Sequence, residues 1–154
     1  MMKICLVQYK AIKADIDENI KLHIDFINQA IETNSNIIIF PELSITGYHP
    51  SIAKQLATNE NDVRFKVFQT LANMHKITIC IGAPIKTYNK PNIGLMIFSP
   101  NQKPYAYLKT RLAPSEINMF DSGENKTITL RGYKNIALAI CYECEVVPNN
   151  ETVT

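Results

Sequence analysis

The feature that most constrains this sequence is a run of isoleucines set between two short apolar segments. Ile16, Ile20, Ile24, Ile27 and Ile31 recur at spacings of three and four, which lays one apolar stripe along a helix. Asp15 precedes the stripe and Glu18 follows three residues later, a capping-box-like start; Thr33-Asn34-Ser35-Asn36 ends the helix. On one side stands KICLVQ, Lys3 to Gln8, apolar on both faces; on the other stands the short apolar run Ile37 to Phe40. Strands without polar alternation are those covered on both sides.

The pattern then repeats with a change of hand. Asn61 to His75 reads as a second helix with Val63, Val67, Leu71 and Met74 on its apolar side. Ile77 to Ile81 reads as a strand stopped by Gly82 and Pro84. Ile93 to Phe98 and Pro104 to Lys109 read as a hairpin around the turn residues Ser99-Pro100-Asn101-Gln102. Thr127 to Leu130 and Ile136 to Ile140 read as another, turning at Gly132. Helices alternating with strands and followed by hairpins indicate a layered α/β fold with a mixed sheet. With 154 residues and no linker or low-complexity segment, a single domain over 1–154 is expected.

Bulk properties exclude several functions. The net charge is +2 with basic residues scattered, which leaves no footprint for nucleic acid or a charged membrane surface. The apolar runs are of strand length, well short of the roughly 18 residues that span a bilayer. MMKICLVQYK lacks a secretory apolar region and a small-residue cleavage site, so a cytoplasmic protein with reduced cysteines is expected. Cys5 and Cys80 lie inside apolar runs, as packing residues do.

Three reactive side chains fall at strand ends. In NIIIFPELSITGY, Pro41 forces Phe40 into an extended conformation, so Glu42 sits just past a buried strand. Ligands bind at that rim in α/β sheets. A carboxylate beside bulky apolar residues is poorly solvated, and a raised pKa suits a general base. An ordinary loop glutamate is equally compatible with this segment alone. In PYAYLKTRL, alternation puts Tyr105, Tyr107 and Lys109 on one face and Ala106 and Leu108 on the other. Lys109 either holds a developing negative charge or snorkels to water. In NIALAIC, Ile136, Leu138 and Ile140 share one face, and the small face is Ala137, Ala139 and Cys141. Cys141 is a nucleophile if a base or cation stabilises its thiolate, and otherwise an inert buried thiol.

Together these segments resemble the carbon–nitrogen hydrolase (nitrilase) superfamily, whose catalytic set is Glu, Lys and Cys in that chain order. FPELSITGY resembles its glutamate motif, YLKTRL its lysine motif and ALAICYE its cysteine motif; KICLVQ and the NIG before the hairpin are also similar. The resemblance runs from about Met1 to Glu143. It implies an α-β-β-α sandwich with mixed sheets and hydrolysis of an amide, N-carbamoyl amine or nitrile through a cysteine thioester. It implies Cys141 as nucleophile, Glu42 as general base and Lys109 as oxyanion stabiliser, aided by the backbone N–H of Tyr142. Glu116, between the lysine and cysteine motifs, would position Lys109 or the substrate amine, and Tyr48 would line the pocket. No metal or organic cofactor is needed for that chemistry.

Other readings of the cysteines are weaker. A thioredoxin-like Cys141–Cys144 pair needs the first cysteine at a helix N-terminus, whereas a strand-like run precedes it here. Structural zinc takes four ligands, usually as two close pairs, and one pair is present. His23, His49 and His75 stand singly, and His23 falls outside the isoleucine stripe, where a solvated side chain is expected. The resemblance also implies elements after the cysteine strand that are not in this sequence. Where the family has Pro followed by an acidic residue, Pro148 is followed by Asn149 and Asn150, and PNNETVT reads as a frayed end. The expectation is an uncovered sheet edge, and hence a homo-oligomer or a catalytically inactive scaffold of the same fold.

Overall fold

The computed structural model describes residues 1–124 and 129–145. Its first half forms as the stripe predicts. Strand β1 (Ile4–Leu6) leads to helix α1 (Ile16–Glu32), and the Asp15 carboxylate accepts the Glu18 N–H at 3.0 Å to cap it. Strand β2 (Ile37–Ile39) follows, then a short helix α2 (Ala53–Leu56), helix α3 (Lys66–His75) and strand β3 (Thr78–Ile85). Strands β4 (Asn92–Phe98) and β5 (Tyr105–Leu108) form the first expected hairpin. The five strands make one sheet in the order β1-β2-β3-β4-β5, parallel from β1 to β3 and antiparallel from β3 to β5.

The sheet separates two apolar clusters. Helices α1 and α3 cover one face, where Ile27, Phe40, Phe65, Phe68 and Phe98 are buried. The other face buries Leu43, Ile93, Leu95, Tyr107, Phe120, Leu130 and Ile140 beneath loops and turns. Every residue of β3 and β4 is buried, as strands covered on both sides must be. The expected alternation in β5 holds: Ala106 and Leu108 pack toward the helices, Tyr105 and Tyr107 toward the loops.

Strand β1 departs from the expected cover on both sides: it is an edge strand that exposes Ile4 and Leu6. Four further expectations are corrected. Strand β3 does not stop at Gly82 but runs through Pro84 to Ile85. Pairing with β2 ends at Ile39 opposite Cys80, and beyond it a loop takes over that edge, with Thr58 N donating to Pro84 O at 2.9 Å. The proline nitrogen faces the same edge, so no ladder hydrogen bond is lost. The second helix begins as a 3-10 turn (Val63–Phe65) capped by Asp62, which shifts its phase. Phe65, Phe68 and Ala72 are buried, Val67 and Leu71 only partly, and Val63 and Met74 are exposed, because the two phenyl rings have more area to bury. His23 is buried rather than solvated.

The second hairpin is the fourth correction. Thr127 lies outside the described residues, as does the tail from residue 146; among the described residues the segment 129–145 keeps a single bridge, Thr129 to Ala137. Gly132 turns it at φ +88°. Its alternation is as expected, with Ile136, Leu138 and Ile140 turned to the core and Ala137, Ala139 and Cys141 exposed. The Cys141 segment is thus not a strand of the sheet, and the edge strand with exposed apolar side chains is β1, through Ile4 and Leu6.

Candidate functional site

Glu42 is set by a loop wedged against β3. Phe40 N still donates to Cys80 O at 2.9 Å, which carries the extended backbone one residue past β2. The chain then turns, with Leu43 at φ +52°. The turn fits only because residue 82 is glycine: a Cβ there would lie 2.2 Å from Pro41 O and 2.5 Å from Leu43 N. Ser44 Oγ accepts Gly82 N–H at 3.2 Å and lies 3.0 Å from His23 Nε2, while Tyr9 OH donates to Ser44 O at 2.8 Å. His23 Nδ1 is 2.6 Å from Asn19 O, a pure acceptor, which puts the proton on Nδ1 and leaves Nε2 to accept from Ser44. Burial lowers the His23 pKa to about 4 against the Asn19 bond, so the imidazole is neutral at ordinary pH. It stacks on Phe40 at 4.0 Å. The histidine is therefore a structural pin beneath the glutamate loop.

Lys109 leaves the end of β5, where its N–H donates to Ile93 O at 2.8 Å and its carbonyl accepts from Gly123 N at 2.8 Å. Its side chain is fully buried and does not snorkel. Nζ lies 2.7 Å from Glu42 Oε1 and 2.9 Å from Glu116. Glu116 is itself buried in a turn, where Ala113 N donates to Oε2 at 2.7 Å and Tyr48 OH to Oε1 at 3.1 Å. Tyr48 is otherwise largely exposed.

Cys141 opens a four-residue 3-10 turn (Cys141–Cys144) at φ +47°. Its thiol shares a cavity wall with the Glu42 carboxylate, close enough for the Glu42 charge to act on it. The structure therefore brings Glu42, Lys109, Glu116, Cys141, Tyr48 and Tyr142 to one place, although they span a hundred residues of sequence. Cys144 is exposed and Cys80 buried, and all four cysteines are free.

The electrostatics follow from one cation between two carboxylates. Burial raises the Glu42 pKa, and the Lys109 contact only partly opposes it. Burial pulls the Lys109 pKa down, but bonds to Glu42 and Glu116 outweigh it and the net shift is upward, so the ammonium persists. Desolvation and then the Glu42 charge raise the Cys141 pKa, so the resting sulfur is a thiol. A cavity of about 350 Å³ borders both Glu42 and Cys141; Ile39, Gly82, Gly94 and Leu95 form its sheet side, Ala139 and Ile140 the other. Its walls are apolar and its size suits a small molecule. Among the described residues, no group of three or more His, Cys, Asp or Glu side chains is arranged to hold a metal ion, and no helix is long and apolar enough to cross a membrane.

Sequence reasoning missed Glu143, whose carboxylate collects hydrogen bonds from Tyr107, Thr110 and Ile140. Its place two residues after Cys141 was the available signal. It also read Gly82 as a strand stop, whereas the residue is the seat of the glutamate loop.

The chain is similar to several known proteins. The glutamine-dependent NAD(+) synthetase of Acinetobacter baylyi is 36% identical over 80 residues, 52% of this chain and 15% of that protein. The NitN amidase of a Nesterenkonia species is 25% identical over 92% of this chain and 58% of its own, with a TM-score of 0.76. A cysteine-to-serine variant of the Nesterenkonia amidase, from the nitrilase superfamily, is 26% identical over 84% of this chain and 51% of its own, with a TM-score of 0.71. The chain thus spans less than two thirds of the length of each of these proteins. The family model described as carbon-nitrogen hydrolase matches residues 3–148, nearly the whole sequence, and on that match the chain belongs to the carbon–nitrogen hydrolase family.

Proposed function

We propose that this chain carries the nucleophile, base and oxyanion-binding groups of an enzyme that hydrolyses a non-peptide C–N bond in a small molecule. The carrying observation is the fully buried Lys109 ammonium held between Glu42 and Glu116, with Glu42 and the Cys141 thiol bordering one cavity. A structural salt bridge has no need of a thiol on its open side. The solved neighbours are amidases, and glutamine carries a primary carboxamide; both support an amide substrate over an N-carbamoyl amine or a nitrile.

In this reading Glu42, with its raised pKa, takes the thiol proton as Sγ attacks the carbonyl carbon. The carbonyl electron pair moves onto oxygen. Lys109 has three N–H donors directed among Glu42, Glu116 and, in this reading, the oxyanion, which Tyr142 N–H would also meet. Collapse breaks the C–N bond, and the proton on Glu42 passes to the departing nitrogen. A water then attacks the thioester, losing its proton to Glu42; the C–S bond breaks, and the sulfur recovers that proton as the acid leaves. Glu116 holds Lys109 in place, and Tyr48 holds Glu116.

Ammonia release from a panel of primary amides tests the proposal. Cys141→Ala is expected to reduce it by about a thousandfold or more, as loss of a nucleophile does. Release that survives the substitution sinks the mechanism. The exposed Met2, Ile4 and Leu6 along edge strand β1 support self-association as well, checked by the molar mass of the chain in solution.

A further inference from the structure

The segment bearing Cys141 packs on the sheet through apolar side chains. Among the described residues, its backbone-to-backbone hydrogen bonds stay within 129–145, so no ladder ties it to the sheet. Yet Cys141 sits at φ +47°, a conformation a non-glycine residue keeps only when its surroundings enforce it. The strongest polar link across the gap is Glu143. Its Oε2 accepts Ile140 N–H at 2.7 Å, immediately before the cysteine. Its Oε1 accepts Thr110 N–H and Thr110 Oγ1–H, each at 2.7 Å, immediately after Lys109. Tyr107 OH, two residues before Lys109, donates at 2.9 Å, and Arg111 N–H lies at 3.4 Å. One carboxylate therefore grips the chain on both sides of the cysteine turn and on both sides of the lysine.

We propose that Glu143 is a positioning residue that clamps the Cys141 turn to the end of β5, and so fixes the sulfur relative to Glu42 and Lys109. This rests on the reading of Cys141 as nucleophile. Its partners are donors, which only an ionised carboxylate satisfies together; an amide would turn its NH2 toward a backbone N–H. Burial alone would raise the Glu143 pKa, but the bonds from Thr110, Ile140 and Tyr107 outweigh it and hold the carboxyl below its usual range.

The test uses the full chain with Glu143→Gln and Glu143→Asp, and two readouts. The first is the rate at which iodoacetamide alkylates Cys141 near neutral pH, resolved by peptide mass against Cys5 in the same molecule. The expected result is a rate in Glu143→Gln changed by about fivefold or more from wild type, and in the same direction as in Glu42→Gln, because a displaced thiol no longer faces the Glu42 carboxylate that sets its thiolate fraction. Cys5 labelling and the far-UV circular dichroism should stay unchanged, and Glu143→Asp should return part of the way to wild type. The second readout is amide turnover, where kcat should fall by about a hundredfold with KM nearly constant, as for a misplaced reacting group. If wild type hydrolyses no amide, the functional reading fails, while the alkylation contrast still reads the clamp. Cys141 alkylation within about twofold of wild type in Glu143→Gln overturns the proposal. Should that variant not fold, Tyr107→Phe and Thr110→Val each remove one donor and should give smaller, graded changes in the same direction as Glu42→Gln; unchanged rates in both overturn it equally.

Discussion

The two faces of the sheet are held by different physics. On the helix face, Phe65, Phe68 and Phe98 lie with ring centroids 5.7–6.0 Å apart, and His23 stacks on Phe40, so apolar area and shape do the holding. On the other face an irregular segment is attached through side chains to backbone: Glu143 to Thr110 and Ile140, Glu116 to Ala113, and Tyr105 OH to Arg131 N. Positive φ at non-glycine residues occurs in both layers, at Ala14, Asn34 and Lys76 beside the helices and at Leu43 and Cys141 at the site. The site face differs in burying a lysine between carboxylates. The contrast teaches that apolar packing holds one layer while directed polar contacts hold the other, where Glu42, Lys109 and Cys141 meet.

Three experiments would break or sharpen that contrast. The largest effect is expected from Phe68→Ala, which empties a fully buried site between Phe65, Phe98 and His23. A loss of about 3–5 kcal/mol in urea unfolding is expected, with Cys141 alkylation in the folded protein unchanged. Slower alkylation at equal folded fraction would mean that the faces are not independent. Next comes acid. His23 is held neutral with a pKa of about 4, below its ordinary value of 6.5, so the unfolded chain binds its proton first. Its contribution is fully present above pH 6.5 and drains away as pH falls toward 4, amounting to about 3 kcal/mol. Urea midpoints at pH 7 and 4.5 check this, and His23→Phe should flatten the slope in that window. The smallest effect belongs to Tyr48→Phe, which removes one hydrogen bond to Glu116 at a largely exposed position. About 1 kcal/mol or less of stability is expected, so a larger loss by thermal melting would assign Tyr48 to the scaffold rather than the site.

Much of this was legible in the residues. The isoleucine stripe, the Asp15 cap, the β4–β5 hairpin and the alternation around Lys109 all follow from local rules, and the structure keeps each of them. The errors share a cause. Gly82 and Pro84 read as stops because local propensity cannot know that β2 ends early and leaves that edge of β3 to a loop. Val63 and Met74 read as core because the 3-10 turn that shifts the helix phase has no periodic signature. His23 read as solvated although it stands three residues after Ile20 and four before Ile27, on the stripe itself; what the stripe could not show is its partners, Ser44 and Phe40.

The sequence by itself determined the element order, the faces of the strands and the family, since these rest on short-range periodicity and on motifs read in one stretch. It also singled out Glu42, Lys109 and Cys141 one at a time, each with a mundane alternative. Only the tertiary structure brought them together, because charge and proton exchange act over about 3 Å while these residues lie 67 and 32 positions apart along the chain. Burial turned Lys109 from a surface cation into the centre of a carboxylate pair, and the fold alone showed that Glu143 joins the Cys141 turn to the end of β5.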